Sequence, residues 1–234
     1  MLRRYALPPA LLALAAAGLV ACGGDDSSAG STDSTAATDS TDSAVSPCET
    51  VAAPPPKEDV KLDPPKADAP TASGVTFDTS CGSFTVTFDD RAPKTDASFQ
   101  YLAEQGFFDD TVFHRVVPGF VIQGGDPLGS STDPGVAGTG GPGYSVVEKP
   151  PSNLSYTQGT VAMAKTEAEP PGESGSQFYV VTAADAGLPP DYALVGKVTD
   201  GYDVVKSIEA LGTAGTDGPP SMPVVVDSAS PVSG

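Results

Sequence analysis

A closed or nearly closed β-barrel with helical plugs is the fold class predicted for residues 74–234, and three observations predict it. Many short runs rich in Val, Phe, Thr and Ile are punctuated by Gly, Pro and Ser. Only two stretches carry apolar residues at helical spacing. The hydrophobic share of 39% is also unevenly spread. Residues 23–72 hold almost no large apolar side chains, so the core belongs to the chain from about residue 74 onward. That leaves one domain of roughly 150 to 160 residues.

The chain is expected to begin with a processed leader. Residues 1–21 carry Arg3 and Arg4, then an apolar run from about Ala10 to Val20 that is short for a membrane span and is followed at once by Gly and Asp. Leu19, Val20 and Ala21 before Cys22 resemble a bacterial lipobox. That resemblance implies cleavage before Cys22 and a diacylglycerol on its sulfur, with an ordinary signal peptide or an uncleaved anchor as the alternative. The lipid chains would hold the protein at the extracytoplasmic face of the cell membrane. Residues 22–73 read as a tether. Its Ser, Thr, Asp and Gly residues bury too little apolar surface to offset their ordering entropy, and Pro54, Pro55, Pro56, Pro64, Pro65 and Pro70 stiffen its later part.

Two cysteines remain, Cys48 and Cys81. An oxidising compartment would let them pair, contributing on the order of 3 to 4 kcal/mol in the chain-entropy model. Pairing would pin the proline-rich arm against the domain, and two free thiols are the alternative. Neither has a second ligand at zinc spacing.

Within the domain, residues 75–79 (VTFDT) and 84–88 (FTVTF) flank SCGS and suggest a hairpin. A helix follows, with Pro93 in its first turn, Phe99, Leu102 and Ala103 on one face, and Gly106 at its end. Residues 113–126 (FHRVVPGFVIQGGD) read as two strands around a Pro118-Gly119 turn. Further strands are expected at residues 159–164, 177–182 and 193–198. A second helix fits residues 202–211, with Val204, Val205, Ile208 and Leu211 sharing a face. A last strand is expected at residues 222–227.

The balance of 12 basic against 30 acidic residues gives a net charge of −18. Its scattered Lys and Arg exclude a phosphate-neutralising surface, so nucleic acid is not an expected partner. His114 is the single histidine, and no G-x-S-x-G elbow is present, which removes most hydrolytic mechanisms; a core histidine is the simpler reading. The GTGGPG loop at 138–143 lacks the Lys-Ser/Thr of a phosphate loop. No cofactor or metal is called for.

Arg115 is the residue that stands out. Alternation puts it with Phe113 on one face and His114 with Val116 on the other. A charge in so apolar a run needs a carboxylate partner or a mouth open to solvent. Gln123, on the second strand, could orient the guanidinium through its carbonyl oxygen.

FHRVVPGFVIQGGD, followed by GTGG, GTVAMA (159–164), SGSQFYV (174–180) and GKV (196–198), occurs in the order and approximate spacing of the cyclophilin-type peptidyl-prolyl isomerases. The chain resembles that family over residues 75–227. The resemblance implies an eight-stranded closed barrel capped by two helices, with an apolar groove for an X-Pro segment of an unfolded or exported protein. By position it makes Arg115 the catalytic arginine and Gln123 its support. Phe120, Val121, Tyr179 and Leu188 fall at proline-pocket positions, while Gly138, Ala164, Lys165 and Gln177 line the rest of the groove. A tryptophan common at the groove edge falls on Gly187, a histidine on Tyr192, a methionine on Val121 and an asparagine on Lys165. Phe120 joins the pocket only if the Pro118-Gly119 turn rotates it inward. A binding module using the same groove is the competing reading, and nothing in the sequence demands more than a monomer.

Overall fold

The computed structural model describes residues 48–66 and 69–234. The leader, Cys22 and the first part of the tether lie outside these residues.

Ten strands and two helices follow in chain order: β1 (Ala72–Thr79), β2 (Gly82–Phe88), α1 (Pro93–Glu104), β3 (Arg115–Val117), β4 (Val121–Gly124), β5 (Val146–Val147), β6 (Thr160–Met163), β7 (Glu173–Ser174), β8 (Phe178–Val181), β9 (Leu194–Asp200), α2 (Tyr202–Glu209) and β10 (Val226–Ser233). Eight of the strands form one sheet in the order β10-β1-β2-β9-β6-β8-β4-β3, and β5 pairs with β7 alone. The sheet curls into a half-barrel and does not close, which corrects the expected closed barrel. Its edges are β3 and β10, and β3 is only three residues long. Isolated bridges of Val112 with Val225 and of Val116 with Gly218 stand at the seam where a full ladder would have run.

The last strand lies later than expected. Val224 and Val225 are buried, but the ladder with β1 runs from Val226 to Ser233 and sets Pro231 opposite Val75. A proline has no N–H for a ladder, yet β10 is an edge strand, where that loss is tolerated. Propensity missed this polar segment because pairing, not composition, makes it a strand.

Phe77 lies at the centre of the core. It stacks on Phe84 at 5.2 Å and meets Phe178, Phe108 and Phe99 at 5.1, 5.5 and 5.9 Å. Phe99, Leu102 and Ala103 bring α1 onto this cluster, and Val205 and Ile208 do the same for α2. Pro93 occupies the first turn of α1, where a missing N–H costs nothing. The free amide of Thr95 is capped from a distance by the Glu148 carboxylate at 2.8 Å.

Cys48 and Cys81 are joined by a disulfide. Residues 48–66 lie along the domain, with Val60 and Leu62 packed against its core. The stretch assigned to a tether therefore divides, and its described later part is docked.

Candidate active site

β3 and β4 pair in the register Arg115↔Gln123, Val116↔Ile122 and Val117↔Val121 around a tight turn. Gly119 at φ +77° supplies the left-handed residue that the turn needs. Because the register sets Arg115 directly opposite Gln123, their side chains project together. Arg115 donates from Nη1 to Gln123 Oε1 at 3.0 Å. It also donates from Nε and Nη2 to the two carboxylate oxygens of Asp217, at 2.7 and 2.8 Å.

Both expectations for the arginine therefore hold at once. It has a carboxylate partner, and its side chain remains about one-third exposed, at 31%. Three of its five N–H groups are engaged, which leaves one on each terminal nitrogen. Asp217, on the loop after α2, was not singled out from the sequence. It is one acid among many in a flexible-looking GTDG segment, and only the fold carries it to the arginine.

The bonds continue inward. Gln123 Nε2 donates to Gln177 Oε1 at 3.1 Å. Gln177 Nε2 donates to the carbonyls of Gly138 and Gly140, both at 2.9 Å. This run of amides holds Gln123 in the orientation that presents its oxygen to the guanidinium.

Arg115 stands on the rim of a cavity of about 350 Å³ that Phe120, Val121, Tyr179, Leu188 and Tyr192 also line. Phe120 and Val121 face the same cavity although they are adjacent in sequence. Phe120 belongs to the turn, since β4 begins at Val121, so strand alternation does not apply to it. The alternation expected at residues 113–116 fails for the same reason: the strand begins at Arg115, and Phe113 and Val116 are both buried in the main core.

The wall of the cavity is aromatic. Tyr179 and Tyr192 meet edge-to-face at 5.7 Å, and Tyr156 supports Tyr192 from behind by donating to its carbonyl at 2.6 Å. Burial pushes the Tyr156 hydroxyl up to about 12, so it stays a donor at physiological pH. Lys165 caps the rim, with Nζ 5.5 Å over the Tyr192 ring and bonded to the carbonyls of Thr166 and Glu169.

Ala164, Lys165 and Gln123 also border a second, larger cavity of about 650 Å³. Gly138 and Gln177 line only this second cavity. Gly187 stands beside Leu188 at φ +64°, with open space where a side chain would be.

His114 takes no part in the groove. Both of its ring nitrogens are buried without hydrogen-bond partners among the described residues, and burial pushes its pKa down. Among the described residues no group of three His, Cys, Asp or Glu side chains is placed to hold a metal ion.

A small pocket with an aromatic and aliphatic wall and a polar rim of Arg115, Gln123 and Lys165 can hold an apolar ring and offer N–H groups from the fixed guanidinium to an atom beside it. Comparison with known proteins points the same way. A probable peptidyl-prolyl cis-trans isomerase A of Mycobacterium leprae is 36% identical over 172 residues, covering 65% of this chain and 88% of that protein. Peptidyl-prolyl cis-trans isomerase-like 1 of Aspergillus oryzae is 35% identical over 150 residues, covering 63% and 89%. The crystal structure of a Cryptosporidium parvum cyclophilin type peptidyl-prolyl cis-trans isomerase in the presence of the dipeptide Ala-Pro superposes with a TM-score of 0.59 at 27% identity, covering 69% of this chain and 99% of that one. Residues 74–230 match the family model for cyclophilin type peptidyl-prolyl cis-trans isomerases, and the chain belongs to that family.

Proposed function

We propose that the chain accelerates rotation about X-Pro bonds in exported proteins at the outer face of the cell membrane, with Arg115 as the catalytic donor. The observation that carries the reading is the doubly held guanidinium at the rim of the Phe120, Val121, Tyr179 and Leu188 cavity. Amide resonance sets a barrier of about 18 to 20 kcal/mol for this rotation. In the twisted transition state resonance is lost, and the proline nitrogen becomes pyramidal and accepts a hydrogen bond. A donor at that nitrogen binds the twisted form better than the planar one, which is the differential binding catalysis requires. A thousandfold acceleration requires only about 4 kcal/mol.

The residues divide the work. The wall of Phe120, Val121, Tyr179 and Leu188 holds the proline ring as the fixed end of the rotation. Arg115 supplies one of its two free N–H groups, while Asp217 and Gln123 fix the guanidinium plane. No proton is transferred, because arginine stays charged throughout the accessible pH range. Location at the membrane rests on the lipobox-like sequence before Cys22 and on the docked arm that would connect such an anchor to the domain.

The test is the cis-to-trans rate of a short X-Pro peptide with wild type and Arg115→Ala, alongside membrane fractionation of wild type and Cys22→Ala. Loss of acceleration in a folded Arg115→Ala chain, and release of Cys22→Ala from the membrane fraction, are expected. Equal rates for wild type and Arg115→Ala would overturn the catalytic assignment, and unchanged fractionation would overturn the anchor.

A further inference from the structure

The larger cavity has a glycine-rich wall that is held from both sides. Residues 138–143 place four glycines in six positions, so the backbone there has few side chains of its own to fix it. From inside, Gln177 bonds to two of its carbonyls, and the buried Asp126 carboxylate accepts from Gly138 N–H. From outside, the bracing comes from the docked arm.

Leu62 donates its backbone N–H to the Pro142 carbonyl at 2.8 Å, in the middle of the glycine-rich wall. Lys61 lies directly against Gly143, where an added Cβ would come within 2.9 Å of Lys61 Cγ. Lys57 donates its backbone N–H to Pro127 at 2.8 Å, and its ammonium bonds to the Phe107 carbonyl at 3.1 Å. At the far end, Cys48 is bonded to Cys81, and Glu49 N–H donates to Ser80 at 2.7 Å. The arm is thus fixed covalently at one end and hydrogen-bonded to the cavity wall at the other, where Val60 and Leu62 pack on the core.

We infer that residues 48–66 form a disulfide-anchored strap that sets the position of the glycine-rich wall, with Leu62 as its positioning residue, and so tunes recognition of the chain flanking the proline. The two cavities share Gln123, Ala164 and Lys165. A peptide seated by its proline in the smaller cavity therefore passes over this border into the larger one. Extended peptides meet the wall that the strap positions, and a bare X-Pro unit does not. The inference rests on the groove being a peptide site, not on turnover.

The strap is tested on the full chain by comparing two probes, acetyl-Ala-Pro-amide and the same dipeptide flanked by three residues on each side. Affinities are measured for wild type, for Cys48→Ser combined with Cys81→Ser, and for Leu62→Pro, which removes the N–H donated to Pro142. The longer peptide should bind about fivefold more weakly to both variants, the scale of one lost hydrogen bond, while the dipeptide changes by less than about twofold. Equal weakening of both probes, or no change in either, would overturn the inference. If a variant fails to melt cooperatively, the same titrations on wild type in dithiothreitol sufficient to open the bridge decide the question. Failure of wild type to accelerate X-Pro exchange would remove the catalytic reading and leave the affinity comparison standing.

Discussion

Arg115 and Asp217 stand 102 residues apart in the chain and are joined by two parallel hydrogen bonds, Nε to Oδ1 and Nη2 to Oδ2. In the proposed mechanism the pair serves to position the guanidinium. Asp217 is 60% exposed, so water screens the ion pair and its contribution to stability is small. The fork geometry nevertheless fixes the plane in which the guanidinium offers its remaining N–H groups.

Replacing Asp217 with alanine is accordingly expected to lower kcat/KM by roughly tenfold, through loss of orientation rather than loss of charge. Stability should change by less than about 0.5 kcal/mol. Asp217→Asn retains one acceptor oxygen and should fall between alanine and wild type. Peptide isomerisation rates set beside thermal melts check this. A large drop in melting temperature with unchanged rate would mean that the pair supports the fold instead.

The pH profile follows from the same geometry. The hydrogen bonds from Arg115 hold the Asp217 carboxyl below the usual carboxylate range. A group with a lowered folded pKa keeps its interaction above the ordinary carboxylate pKa and loses it only as pH falls through the lowered value. kcat/KM should therefore be flat from about pH 5 to 9 and fall only in stronger acid. A break near neutrality would point to His114, whose burial outside the groove gives it no role in this mechanism.

The hairpin and both helices were legible because their signals are local. Alternating VTFDT and FTVTF, Pro93 before an apolar face, and Pro118-Gly119 between apolar runs each specify structure within a few residues. The opposition of Arg115 and Gln123 was legible for the same reason, since a tight turn fixes the register. Asp217 was not, because its partner lies across the fold and nothing in its neighbours marks it. The open seam and the late final strand were hidden likewise: residues 226–233 form a strand only because β1 offers them a partner. The docking of residues 48–66 escaped composition entirely, since prolines and charges describe a solvated segment equally well. Motif resemblance brought Phe120 and Val121 to one pocket where periodicity had separated them.

Asp96 makes a prediction about stability. It lies buried in the first turn of α1, with Oδ1 unpartnered among the described residues, and burial, helped by the nearby Glu148 charge, pushes its pKa up to about 9. The folded chain thus holds a proton there that the unfolded chain has already released above the ordinary carboxylate pKa. Stability is lost as pH rises from about 4 towards 9. Asp96→Asn removes this penalty at almost constant shape and should stabilise by about 1 to 3 kcal/mol at pH 7. Urea unfolding at pH 5, 7 and 9 should show the gap between variant and wild type widening with pH. A constant gap would mean that Asp96 is ionised in the folded state.

Tyr179 separates the shape of the smaller cavity from its polarity. Its ring lines the cavity and packs against Tyr192. Its hydroxyl is buried with no partner among the described residues, and burial drives its pKa upward. A buried donor left unpaired costs about 1 to 3 kcal/mol, which phenylalanine would recover while keeping the ring face. Tyr179→Phe should therefore raise stability by about 1 kcal/mol and leave kcat/KM within about twofold, if the cavity serves only as an apolar seat for the ring. Tyr179→Ala should instead lower kcat/KM at least tenfold, because the proline would lose the surface against which the rest of the peptide rotates. Urea unfolding and peptide isomerisation rates for the two variants separate the contributions. A rate loss in Tyr179→Phe comparable to that in Tyr179→Ala would show that the hydroxyl bonds to the peptide, giving the cavity floor a polar contact in addition to its apolar one.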